Sequence, residues 1–91
     1  MNKQKRYDVL DAAGIAVQDR EGVYGPPQQH LEEVANMWSV ILSRKLSQPL
    51  YATDVALMMA GLKISRLINA PDHEDSQVDL AGYASLLREV A

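Results

Sequence analysis

The sequence contains no cysteine, which excludes a disulfide framework and any thiolate metal site. A bound metal would need oxygen or imidazole ligands, and a hard ion such as magnesium or manganese suits those best. Charge of one sign is also lacking. Twelve Asp and Glu stand against nine Lys and Arg, for a net charge of -3, and only Lys3, Lys5 and Arg6 cluster. A duplex-binding surface needs a basic stripe, so duplex nucleic acid is not an expected partner, whereas a single nucleotide needs only a few cations. No stretch approaches the roughly 18 apolar residues of a membrane span. The N-terminal "MNKQKRYDVLDAAG" has charge but no apolar run of the kind a secretory signal needs. The expectation is a cytoplasmic protein with no membrane partner. Internal repeats and low-complexity tracts are absent as well.

What the chain does have is an ordinary globular composition, 47% hydrophobic and 23% charged. Its 91 residues suggest one domain, 1–91, in which a single core is only just sufficient, so a homodimer or tetramer is expected to complete it. No β-branched residues alternate with polar ones for long enough to read as a strand. Four segments read as helices. Val9, Leu10, Ala13, Ala16 and Val17 recur at three- and four-residue spacing and predict a helix over about 5–19. "REGVYGPP", residues 20–27, then reads as a loop. Pro27 suits a first helical turn, and Leu31, Val34, Ala35, Trp38, Ile41 and Leu42 form one stripe, predicting a second helix over 27–46.

Thr53 is the expected N-cap of a third helix, 53–69, with Asp54 in its first turn. The run "VALMMAGLKISRLI" is apolar nearly all round the helical wheel, which implies a central helix or one covered by a second chain. The fourth helix, 74–90, places Leu80, Tyr83, Ala84 and Leu87 on its predicted core side. The expected fold is therefore all-α, a compact four-helix bundle.

Polar groups beside this core are the functional candidates. Asp75 and Asp79 lie one turn apart at the edge of the apolar side of helix four. Like charges at that spacing repel by about 0.2–0.5 kcal/mol, which a bridging divalent cation would offset. Alternatively, Asp72 caps the helix, Glu74 and Asp75 complement its dipole, and Asp79 is solvated. Lys63 and Arg66 are the charges within the apolar run of helix three, and buried cations require a partner. That partner is either an anionic ligand or a carboxylate of helix four, unless the side chains snorkel to the surface. His30 borders the stripe of helix two, as a hydrogen-bonded structural residue or a ligand. Other catalytic patterns are absent: there is no GxxxxGK loop and no HExxH, and Ser39, Ser43, Ser65 and Ser85 lie within the expected helices with no His near them in sequence.

The succession "YGPPQQHLEEVANMW", "TDVALMMAGLKISRL" and "HEDSQVDLAGYASLL" is similar to a group of short phage- and prophage-borne proteins. These in turn resemble the all-α, MazG-like nucleoside triphosphate pyrophosphohydrolases. That family's ExxE and ExxD motifs bind magnesium, and water attacks the triphosphate to release pyrophosphate and a nucleoside monophosphate. The resemblance implies a metal-dependent hydrolase of an NTP or dNTP, or a nucleotide-binding protein that has kept the fold without the reaction. Carried over by position, Asp54, Asp75 and Asp79 would bind metal, with Ser76 and Leu57 standing where the family has carboxylates. Asp79 and Lys63 would be catalytic, with Lys63 and Arg66 on the phosphates. Tyr24, Gly25 and His30 would contact the substrate, the first two, with Tyr83, against its base.

Overall fold

The computed structural model describes residues 3–91, with side chains from residue 5 onward. Among these residues there are four helices and no strand: α1 (Lys3–Tyr24), α2 (Pro27–Ile41), α3 (Ala52–Asn69) and α4 (Glu74–Val90). The all-helical class read from periodicity is therefore what the chain adopts. α4 packs against the three others, most extensively against α3 and next against α1. The α3 and α4 helices run antiparallel. Their pairing is tied at one end by the Thr53 hydroxyl, which donates to the Val90 carbonyl at 2.9 Å, and further along by Lys63 and Asp79 at 3.0 Å.

The helix ends correct several expectations. α1 continues through 20–24 rather than stopping near Asp19, because Gly22 is tolerated inside it. It ends where a residue must turn left-handed: Gly25 has φ +81°, and its N–H donates to the Glu21 carbonyl at 2.8 Å. Two prolines follow at once, and α2 begins with Pro27.

α2 closes at Ile41, not at Leu46, and tightens into turns over 42–45. The Ser39 hydroxyl donates to the Ala35 carbonyl at 2.7 Å and accepts the Leu50 N–H at 2.8 Å, which folds the connection back onto α2. At the start of α3, Tyr51 is the cap position instead of Thr53, with its N–H donating to Asp54 Oδ2 at 2.8 Å. At the start of α4, His73 takes the place expected of Asp72, its Nδ1 accepting the Ser76 N–H at 3.3 Å.

The core is formed by Leu31 and Ala35 of α2, Ala52, Val55 and Ala56 of α3, and Leu86 and Val90 of α4. Trp38, Met59, Tyr83 and Val17 pack around it, partly buried. The buried line on α4 is Ser76, Gly82, Leu86 and Val90, rotated from the predicted one, and Ala84 is exposed. The rotation follows from α4 serving two neighbours. A Cβ on Gly82 would lie 3.6 Å from Val17, so this small residue is where α1 comes close. Leu10, expected on the core side of α1, is exposed as well.

Candidate functional site

Lys63 is the charged side chain drawn into the α3/α4 interface, only 8% exposed. A buried ammonium is costly unless paired. Asp79 supplies the pair at 3.0 Å and keeps 28% of its own side chain exposed. Of the two alternatives open for Lys63, the carboxylate of helix four is therefore the contact it makes.

The register of the two helices extends this pair into a line. One turn before Lys63 on α3 lies Met59, and one turn after Asp79 on α4 lies Tyr83. Both line a cavity of about 320 Å³. In the other direction come Arg66 and Asp75, both exposed. From Met59 to Arg66 the helix rises about 10 Å. The order along the interface is cavity, ion pair, exposed charges.

The cavity lies between the α1–α2 corner and the inner faces of α3 and α4. Its wall is largely apolar, with Leu31, Val34 and Trp38 from α2 and Leu86 from α4. Aromatic faces shape the rest. The Tyr24 and His30 rings stack with centroids 4.7 Å apart and planes at 15°. The Arg20 guanidinium sits over the Tyr83 ring, 4.9 Å from its centroid. That contact is a cation–π geometry that also places a positive charge at the cavity, beside the carboxylate of Glu21. The volume falls at the small end of the range for ligand pockets, about 300–1,000 Å³, which accommodates a flat heterocycle.

Tyr24, Gly25, His30 and Tyr83 thus share one cavity, although they come from three helices and the turn between two of them. Lys63 and Arg66 do not line it, and Arg66 is exposed instead of buried. Asp54 is remote from Lys63 and Asp79. Nine residues separate it from Lys63 on α3, about 13 Å along the axis, and its carboxylate accepts the Tyr51 N–H. Consistently, the described residues contain no group of three or more His, Asp or Glu side chains able to hold a metal. Asp54, Asp75 and Asp79 are not brought together as one centre. Arg20, with Glu21 beside it, is a cavity residue that pattern reading misses. Its signal was its position four before Tyr24, visible only if α1 runs past Asp19.

No described helix is long and apolar enough to cross a membrane. A family model described as Domain of unknown function (DUF6378) matches residues 8–91. The Gene 55 protein of Mycobacterium phage L5 is 36% identical over 67 residues, which cover 74% of this chain and 41% of that protein. The Gene 55 protein of Mycobacterium phage D29 is 32% identical over 72 residues, 79% of this chain and 45% of that protein. The chain thus spans less than half the length of these relatives. No solved structure matches it.

Proposed function

Since the chain belongs to the DUF6378 family, with phage proteins among its relatives, we propose a function from the site itself: the binding of a nucleotide. The base occupies the aromatic cavity and the phosphates extend along the α3/α4 interface toward Arg66. One observation carries this reading, the alignment of cavity, ion pair and exposed cation along a single helix–helix interface. A planar base gains stacking area against Tyr24, His30 and Tyr83. Arg20 and Arg66 provide charge for phosphate oxygens, and Lys63 orients Asp79 at the edge of the track.

The chain's single tryptophan, Trp38, lines the cavity and is a built-in reporter. Titration with nucleoside triphosphates should change its emission saturably, and Arg66→Ala should weaken triphosphate binding more than nucleoside binding. Emission that stays constant to millimolar nucleotide would refute the proposal.

A second reading, hydrolysis of the same triphosphate to monophosphate and pyrophosphate, rests on the resemblance to MazG-like pyrophosphohydrolases. It has Asp75 and Asp79 in its favour, one turn apart at the phosphate end of the line. A magnesium or manganese ion can be held by one or two carboxylates when phosphate oxygens complete its shell, and would supply charge neutralisation there. Ion-exchange analysis of products distinguishes the two readings. Monophosphate with pyrophosphate, lost in Asp79→Asn, establishes hydrolysis, whereas bound but intact triphosphate establishes binding alone.

A further inference from the structure

The outward side of α3 is apolar and carries no charge along its centre. Leu57, Gly61, Ile64 and Ile68 follow one another at spacings of four, three and four, the heptad pattern of a helix–helix seam. Leu57, Ile64 and Ile68 are 52%, 49% and 78% exposed. Further round the helix beyond Gly61, Met58 and Leu62 are nearly half exposed too. Nothing lies within 4 Å of a Cβ placed on Gly61, so the stripe has an open notch midway.

We propose that this face is the interface of a homodimer in which α3 packs antiparallel against α3 of a second copy. The stripe is self-complementary in that arrangement, as a two-fold interface must be. A two-fold axis between Leu62 and Lys63 sets Leu57 opposite Ile68 of the partner subunit. It also sets Ile64 opposite the Gly61 notch, so that large meets small along the seam.

The surface area agrees. The chain exposes 6639 Å², against about 5,300 Å² for a compact monomer of its mass. It measures 48 × 30 × 19 Å, a flat shape with a broad side. This chain-wide excess, to which exposed apolar residues of α1 and α2 also contribute, is larger than the roughly 800 Å² per partner of a standard stable interface. A second copy of the same apolar, uncharged face is the occupant that this surface fits. The stripe lies on the side of α3 away from Lys63 and the cavity, so association through it does not depend on nucleotide binding.

Light scattering coupled to size-exclusion chromatography tests it on the full chain. The wild type should elute at about twice its 10.1 kDa mass, and Leu57→Glu with Ile64→Glu should elute as a helical monomer. A wild type that is monomeric at the highest concentration reached, or a charged variant that stays dimeric, overturns the proposal. Should the charged variant fail to fold, the absence of native cysteine offers a second measurement. An equimolar mixture of Leu57→Cys and Ile68→Cys, the positions that the two-fold sets opposite each other, should oxidise to a covalent dimer, while Leu57→Cys mixed with the exposed control Ile15→Cys should not. Equal cross-linking of the two mixtures, or none between Leu57→Cys and Ile68→Cys, likewise overturns it.

Discussion

The two faces of α3 invert the usual amphipathic arrangement. The fully buried residues of its inner face are small or modest, Ala52, Val55 and Ala56, together with the charge of Lys63, with Met59 partly buried beside them. Its outer face holds Leu57, Met58, Leu62, Ile64 and Ile68, all substantially exposed. An ordinary surface helix buries the large apolar residues and solvates the charge. Exposed apolar area at helical spacing points to a missing neighbour, and a buried ion pair points to polarity retained at a cost in desolvation. The same helix therefore divides two roles between its sides: association outward and ligand recognition inward.

The inversion can be broken most forcefully at the ion pair. Asp79→Ala leaves Lys63 buried without its partner and should destabilise the fold by about 3 kcal/mol, at the low end for a buried pair because Asp79 is partly solvated. Urea denaturation followed by circular dichroism measures the loss. Lys63→Met should cost far less, under about 1 kcal/mol, since Asp79 can turn to water and the methionine packs in the interface. Equal losses in the two variants would show that the pair is not organised by the burial of Lys63.

At the cavity, Gly25→Ala forces an alanine into φ +81° and should lower stability by about 1–2 kcal/mol. It should also disturb the Tyr24–His30 stack, seen as a weakened Trp38 response to nucleotide. The smallest effect is expected on the outer face. Ile68→Ser should change the stability of the monomer by no more than about 0.5 kcal/mol, while lowering the dimer fraction in a dilution series. A loss of several kcal/mol in the monomer would mean that Ile68 packs within its own chain.

The helices were legible in the sequence because α1, α2 and α4 each place apolar residues at three- and four-residue spacing, because the α3 run is long and apolar nearly all round, and because no segment alternates. Their ends were less so. "REGVYGPP" contains two glycines and two prolines, but only Gly25 adopts the left-handed conformation that stops α1. Reading the loop from Arg20 concealed that residue's place at the cavity. The early end of α2 depends on the Ser39 hydroxyl meeting the Leu50 N–H eleven residues away, a contact that local pattern does not encode.

Within the site, the two charges in the apolar run of α3 stood out at once, yet their surroundings differ. Lys63 sits where α4 presents Asp79, and Arg66 falls near the end of the helix, where less of α4 covers it. Asp54 carried two roles in the sequence, metal ligand and first-turn carboxylate, and the structure displays the second. Tyr24, Gly25 and His30 converge because a tight corner joins α1 to α2, and a corner keeps residues close in sequence close in space.

Isothermal titration calorimetry with a panel of nucleoside triphosphates, comparing the wild type with Val34→Trp, tests the central claim most directly. The substitution fills the cavity from α2 while leaving the Lys63–Asp79 pair in place. Saturable heat for the wild type and none for a folded Val34→Trp is the predicted result. Heat of equal size in both proteins, or none in the wild type at millimolar nucleotide, would contradict a nucleotide site built on this cavity.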